Sequence, residues 1–118
     1  MRRTKAEMMS GVDATRDQLV AHNTVEYWRP NGTRVIRYHL TDILEFAPDG
    51  TITFNTDGWQ TVTTKARLNH FQKEIRVYQK DFKWFAMDQV NQHVKFFDGL
   101  QAKDGKIILR SSFLSRPK

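Results

Sequence analysis

The sequence predicts an α+β fold, in which an antiparallel β-meander of five to seven short strands carries one amphipathic helix packed on a face. Two observations predict this class. Five of the six glycines follow an asparagine or an aspartate, and such pairs favour tight turns. They are Asn31-Gly32, Asp49-Gly50, Asp57-Gly58, Asp98-Gly99 and Asp104-Gly105. Short runs rich in β-branched and aromatic residues lie between them, as expected of strands.

Two hairpins follow directly from these turns. Pro30 and Pro48 each stand just before an Asx-Gly pair and preset φ for the turn. The paired runs are Thr24–Arg29 with Thr33–His39, and Asp42–Ala47 with Thr51–Asn55. In the second hairpin Ile52 and Phe54 alternate with polar residues, so we expect both to point into the core.

A third hairpin is predicted from Ile75–Gln79 and Phe82–Met87, joined by a two-residue loop at Lys80-Asp81. In that register Val77 opposes Trp84 on one face of the hairpin. The other face then carries Arg76, Tyr78, Lys83 and Phe85.

The helix is predicted over residues 61–73, where the apolar period changes. Thr64, Leu68, Phe71 and Ile75 recur at helical spacing, and Thr61 or Thr63 can cap the free amides at the start. Residues 1–22 predict an additional N-terminal helix beginning near Asp13 or Thr15. The chain is expected to be a single domain over 1–118, with residues 1–10 and 111–118 mobile.

Composition narrows the class of partner. The chain has no cysteine, which excludes disulfides and thiolate metal sites, and it has no apolar run of membrane-helix length. We therefore expect a cytoplasmic protein without a membrane partner and without a cofactor. The net charge of +6 favours nucleic acid or an acidic protein as the partner.

The segment 38–69, YHLTDILEFAPDGTITFNTDGWQTVTTKARLN, contains a longer pattern. It joins Thr41-Asp42-Ile43, Pro48-Asp49-Gly50 and Gly58-Trp59 to the run Thr61–Lys65, followed by Arg67 and Asn69. The segment resembles a family of small proteins encoded by tailed bacteriophages and prophages, which share this TDI…PDG…GWxTVTTKxRxN block. The resemblance implies a phage accessory or host-interaction protein that binds nucleic acid or a host defence component.

The third hairpin carries the main candidate site. Cations and rings interleave there, an arrangement that binds single-stranded nucleic acid through base stacking and phosphate contacts. The candidate residues are Lys65, Arg67, Lys73, Arg76, Tyr78, Lys83 and Phe85, the first three contributed by the predicted helix. The alternative is a covered sheet face whose lysine and arginine stems reach water.

Two other segments invite a chemical interpretation. The hydroxyls of Thr61, Thr63 and Thr64 at a helix start can receive an anion, although simple capping, with Trp59 packed into the core, is the more ordinary explanation of threonine there. His39 and Asp42 could form a metal or general-base site only if His70, Asp49 or Asp57 converged on them. Otherwise Asp42 braces the turn around Thr41.

These observations predict a non-catalytic binding module for nucleic acid, single-stranded in preference, or for a nucleoprotein. Two alternatives stay open. The same face could meet an acidic host protein, which would make the chain an inhibitor of a host enzyme or defence system. The chain could also be a virion assembly protein that forms a homo-oligomer by edge-strand pairing.

Overall fold

A computed structural model describes residues 18–108 of the chain, and residues 18–20 through their backbone alone. The described part contains ten strands and one helix. They are β1 (Gln18–Ala21), β2 (Thr24–Trp28), β3 (Arg34–Tyr38), β4 (Thr41–Phe46), β5 (Ile52–Phe54), α1 (Val62–His70), β6 (Arg76–Lys80), β7 (Lys83–Met87), β8 (His93–Lys95), β9 (Leu100–Lys103) and β10 (Lys106–Ile107).

The strands form two antiparallel sheets. One has seven strands in the order β1-β2-β3-β4-β5-β9-β10, and the other has three in the order β6-β7-β8. The α+β class is confirmed, whereas the single meander of five to seven strands is wrong in both count and connection. The chain leaves the large sheet after β5, builds α1 and the small sheet, and returns when Leu100 and Ala102 pair with Phe54 and Ile52. Turn residues mark only local neighbours, so they carry no signal for this pairing.

The hairpins β2–β3 and β4–β5 are confirmed, with Ile52 and Phe54 buried. All five glycines of the Asx-Gly pairs have positive φ. At Gly105 the positive φ of 79° is the reason that the turn favours glycine, since a Cβ there would meet only the end of the exposed Gln89 side chain, which can move away.

The predicted N-terminal helix over 1–22 is wrong at its C-terminal end. Residues Gln18–Ala21 form β1, which pairs with β2. The backbone of β2 offers hydrogen bonds along a free edge, and strand pairing there overrides the weak helical pattern. The proposed starts at Asp13 or Thr15, and the mobile segments 1–10 and 111–118, lie outside the described residues.

The helix begins and ends for local reasons. Thr61 is the N-cap, since its Oγ1 accepts a hydrogen bond of 3.1 Å from the Thr64 amide. The helix ends at His70, earlier than predicted, because the side chain of Gln72 replaces the next helical hydrogen bonds. It donates to Leu68 O at 2.8 Å and accepts from the Ile75 amide at 2.9 Å. This buried amide turns the chain into β6.

The hydrophobic core lies between the large sheet, α1 and the inner face of the small sheet. Leu68 comes from the helix and Ile75 from the segment that leads into β6. Their buried partners are Ile36, Ile43, Leu44, Ile52, Phe54, Val77, Trp84, Ala86, Phe96, Leu100, Ala102 and Ile107. The edge of β6 beside the helix is covered by Asn69, whose side chain donates to Val77 O and accepts from the Val77 amide.

The register of the third hairpin differs from the prediction. Its loop is Asp81-Phe82, so Val77 pairs with Ala86 and Trp84 pairs with Gln79, rather than with each other. The error moves one strand past the other by two residues. Because side chains alternate with a period of two, each residue keeps its predicted face despite the change of partner.

A buried carboxylate joins the two sheets. Asp88, between β7 and β8, is only 3% exposed and accepts hydrogen bonds from the amides of Val90 and Gln92 in its own loop. It also accepts 2.6 Å and 2.9 Å bonds from Gln92 Nε2 and from the Ile107 amide of β10. Glu74 adds a second link through the Gly105 amide at 2.9 Å. These bonds fix the small sheet against the end of the large one.

Asp88→Asn should lower the free energy of unfolding at pH 7 by about 3 kcal/mol, because an amide cannot satisfy four donors and leaves buried N–H groups unpaired. Burial acts to raise the pKa of Asp88, but the hydrogen bonds from Ile107 and Gln92 outweigh it and hold that pKa below its usual value. The stabilisation of the folded state by the ionised Asp88 carboxylate is therefore complete above a pH of about 4. It declines as the pH falls through the folded-state pKa of Asp88.

Urea unfolding of the wild type and Asp88→Asn at pH 7 and at about pH 3 measures both effects. The difference in the free energy of unfolding between the two proteins should be smaller in acid than at pH 7. Asp104→Asn, at an exposed turn position, is the matched control and should stay close to wild type. Equal free energies of unfolding at pH 7, or a difference that is the same at both pH values, would contradict the role of Asp88 in joining the two sheets.

Candidate functional site

One side of the small sheet carries a group of side chains that we call the outer face. On the inner face Val77, Trp84 and Ala86 are buried in the core. Strand alternation and the pairings of β6 with β7 and of β7 with β8 place the remaining residues on the opposite side. The outer face consists of Arg76, Tyr78, Lys80, Lys83, Phe85, Met87, His93 and Lys95, each exposed or half-buried.

Two rings form the centre of the outer face. Tyr78 and Phe85 are directly opposite each other, with ring centroids 5.6 Å apart and an angle of 22° between the ring planes. Lys95 lies opposite Phe85 on the far strand. The Tyr78 hydroxyl shares a hydrogen bond of 2.6 Å with Nδ1 of His93, which fixes the tyrosine ring over the sheet. The result is a pre-ordered aromatic pair beside an ammonium group.

The charge of the outer face is uncompensated. Its eight residues include three lysines and one arginine, and no aspartate or glutamate. Lys80 and Lys83 are cross-strand partners, an arrangement that costs a few tenths of a kcal/mol to about 1 kcal/mol. Within residues 18–108, the structure gives Arg76, Lys80, Lys83 and Lys95 no hydrogen bond or ion pair from their side chains. An anion bound here would relieve the repulsion.

Four of the sequence-predicted site residues, Arg76, Tyr78, Lys83 and Phe85, lie together on the outer face. Sequence reasoning missed its other four members, Lys80, Met87, His93 and Lys95. The predicted Lys80-Asp81 loop leaves Lys80 out of the strand, although Lys80 has the same strand parity as Tyr78. The two β8 residues depend on the pairing of β8 with β7, for which the sequence offers no turn motif.

The three predicted helix residues do not join the outer face in the same way. Lys65 Nζ donates to Gln79 Oε1 at 3.2 Å and lies 5.9 Å from the Trp84 ring centroid, on the inner side of the small sheet. Arg67 points to the large sheet, where Nε donates to Thr24 Oγ1 at 3.0 Å. The structure therefore does not bring Lys65 and Arg67 to the outer face, because the helix directs Lys65 to the inner side of the small sheet and Arg67 to the large sheet.

Lys73 lies nearer the outer face. Its Nζ donates to Asn69 O at 3.0 Å, just beyond the end of α1. It lines a groove of about 550 Å³ together with Arg76 and Met87, which are themselves outer-face residues, and with the acidic residues Glu74 and Asp88. The groove therefore places Lys73 next to the outer face, on a surface that carries both signs of charge.

A second surface feature is an apolar cavity of about 510 Å³ at the start of α1. Its lining residues are Tyr38, His39, Leu40, Thr41, Ile43, Thr56, Asp57, Trp59, Thr61 and Thr64. Leu40 and Trp59 are 77% and 67% exposed, and Val62 next to them is 77% exposed. The expectation that Trp59 packs into the core is wrong. Asp98 accepts hydrogen bonds from Thr56 and Gly58 and holds the preceding turn, which leaves Trp59 outside.

The candidate pair His39 and Asp42 does not form a shared site. Asp42 accepts hydrogen bonds from Tyr27 Oη at 2.7 Å, Arg37 Nε at 2.7 Å and Arg29 at 2.8 Å. Burial acts to raise the pKa of Asp42, but these donors outweigh it and the pKa lies below its usual value. His39 is exposed at the cavity. In the part of the chain that the structure describes, no three acidic, histidine or cysteine side chains cluster as metal ligands would.

Between residues 18 and 108, no helix has the length and apolar character that a membrane crossing needs. No curated protein matches the chain, and no solved structure matches it. Residues 1–103 match the sequence model of a family described as the Kyanoviridae Gp96 protein. This match confirms a phage protein family, while the motif block itself stays a prediction. The chain belongs to the Kyanoviridae Gp96 protein family of phage proteins.

Proposed function

We propose that this protein is a non-catalytic phage accessory protein that binds single-stranded nucleic acid, or a nucleoprotein that exposes it, through the outer face. The observation that carries the proposal is the stacked pair Tyr78 and Phe85, surrounded by cations on an open sheet surface. We place its action in the cytoplasm of the infected host, where nucleic acid and nucleoproteins are accessible.

The chemistry of the outer face favours a single strand over a duplex. Unpaired bases expose their π-faces, and each base stacked on an aromatic side chain contributes about 1–3 kcal/mol. A duplex hides those faces and offers mainly phosphates. Tyr78 and Phe85 are half-buried and held by the sheet, so little side-chain entropy is lost when a base stacks on them.

The cations complete the site by meeting the backbone of the strand. Lys80 and Lys83 lie two residues along the strands from Tyr78 and Phe85, and Arg76 lies two residues in the other direction. Cations therefore stand on both sides of the ring pair, as a strand whose bases stack in the middle requires. Each phosphate contact releases condensed counterions, which makes binding dependent on salt.

The proposed role is non-catalytic because of the groups that this face offers. Its eight residues include no carboxylate that could hold a metal ion or activate water. His93 is the one imidazole among them, and its Nδ1 is engaged by Tyr78. The cations and rings of this face contribute binding through charge and stacking.

A second candidate function is favoured by the apolar cavity: binding of a host protein segment that inserts an apolar side chain beside an acidic one. Exposed Trp59 and Leu40 are typical of protein-contact surfaces. Arg67 supplies the charge complementarity. Its guanidinium lies 5.5 Å from the ring centroid of Tyr38 in the cavity wall, and within residues 18–108 it has no carboxylate partner.

Tyr78→Ala should weaken binding of a fluorescein-labelled oligothymidylate about tenfold. The variant loses one base–ring stacking interaction, which contributes a binding free energy of about 1.4 kcal/mol. Tyr78→Phe keeps the ring and should retain most of the affinity. Fluorescence anisotropy at low salt measures both. Trp59→Ala removes an exposed ring elsewhere and is the matched control, which should bind like wild type.

Equal affinity of wild type and Tyr78→Ala for oligothymidylate would show that Tyr78 does not stack on a base. If Trp59→Ala, and not Tyr78→Ala, abolishes capture of an acidic host protein from nuclease-treated lysate while oligothymidylate fails to bind, the second candidate replaces the first.

Replacing Lys80 and Lys83 together by glutamine should reduce the slope of log K against log salt by about 1.4, or about 0.7 for each phosphate contact with a single strand. The matched control replaces Lys103 and Lys106, which form the same kind of cross-strand lysine pair on the other sheet. Both double variants lose the same charge, so only the first should change the slope. Identical changes in the two variants would show that net charge alone attracts the strand.

A further inference from the structure

The chain contains two hairpins that are built almost alike. One is Lys80-Asp81-Phe82-Lys83 between β6 and β7, and the other is Lys103-Asp104-Gly105-Lys106 between β9 and β10. In each, the two lysines pair across the strands and two residues form the loop. The loop residues all have positive φ: 52° and 66° at Asp81 and Phe82, and 54° and 79° at Asp104 and Gly105. These values match the turn type that two-residue hairpins favour.

The two hairpins differ at the second loop position. That position strongly favours glycine, which adopts positive φ without steric cost, and Gly105 follows this rule. Phe82 does not. A bulky side chain at positive φ crowds its own backbone, and such residues are uncommon in proteins. The chain therefore carries local strain at the tip of one hairpin, although its other hairpin shows the unstrained solution.

Packing does not account for this phenylalanine. Phe82 is 94% exposed, the highest value among the exposed large apolar side chains. Among residues 18–108, no aromatic ring or cation stacks on it. Neither the fold nor the turn gains from the side chain, and a strained, exposed residue that the fold does not need points to a role in binding.

The surroundings of Phe82 identify the chemistry of its partner. Lys80 and Lys83 flank it directly, and the next cross-strand pair along the hairpin is Tyr78 with Phe85. The hairpin tip thus continues the outer face: rings, then cations, then a further ring. A polyanion that also carries flat apolar groups can contact the ring pair, the lysines and the Phe82 ring together. Among such polyanions, single-stranded nucleic acid fits the proposed outer face.

We infer that Phe82 inserts between bases of the single strand and acts as a wedge at the end of the outer face. The inference rests on the proposed function and concerns Phe82, which lies outside the sequence-predicted site residues. Aromatic side chains insert between successive bases of a single strand and stack on them in this way. Lys80 and Lys83 hold the phosphates on either side of the base step that Phe82 opens.

Phe82→Gly converts this hairpin into the Lys-Asp-Gly-Lys sequence of the other one, and it separates binding from stability. The melting temperature should rise by roughly 3 °C, because the positive-φ strain is removed. Affinity for an oligothymidylate of about 15 nucleotides should nevertheless fall about tenfold. Phe82→Tyr keeps an aromatic ring and should bind like wild type. Phe82→Leu keeps the apolar bulk and the strain, and it should bind as weakly as Phe82→Gly.

The outcomes separate the inference from the proposed function. If wild type binds the oligonucleotide and Phe82→Gly binds it equally well, the wedge is overturned while the outer face stands. If Phe82→Leu binds like wild type, apolar contact rather than base insertion explains the residue, which also overturns the wedge. Loss of binding to anionic vesicles in Phe82→Gly, with oligonucleotide affinity unchanged, would assign Phe82 to a lipid surface instead. A wild-type chain that binds no oligonucleotide overturns both proposals.

Discussion

The orientation of the small sheet depends on the carboxylate of Asp88. This group is almost fully buried and accepts four hydrogen bonds, three from its own loop and one from β10 of the large sheet. It closes the β7–β8 loop and attaches that loop to the end of the other sheet. Without it, β6–β8 would keep their strand pairing but lose one of the links, beside those of Gly105 to Glu74 and Gln89, that hold one face toward the core and the other toward solvent.

That division into two faces explains how a small chain separates stability from binding. Inward residues Val77, Trp84 and Ala86 complete the core above α1. The alternate positions are then free of packing demands and carry lysines, an arginine and two rings. Asn69 covers the edge of β6, so the outer face is the part of this hairpin that solvent reaches most easily. A binding surface can therefore be built without disturbing the interior.

The sequence is informative wherever the physical cause is local. Asx-Gly pairs predict the hairpins β2–β3 and β4–β5, and Thr61 marks the helix start. Strand parity places Tyr78 and Phe85 on one face, even though the hairpin loop lies one residue further along the chain than predicted. Features that depend on contacts between distant parts of the chain could not be predicted from the sequence. The pairing of β5 with β9 joins segments separated by the helix and the small sheet. The exposure of Trp59 depends on Asp98, and the directions of Lys65 and Arg67 depend on which strands α1 meets.

The central claim is that single-stranded nucleic acid contacts the outer face, and NMR spectroscopy tests it most directly. Oligothymidylate of about 10 nucleotides would be titrated into the isotope-labelled chain while amide chemical shifts are followed residue by residue. The account predicts that the largest changes fall in β6, β7 and β8 and in the Asp81-Phe82 loop. Changes concentrated around the apolar cavity at residues 38–43 and 56–64, or spread evenly over both sheets, would contradict it.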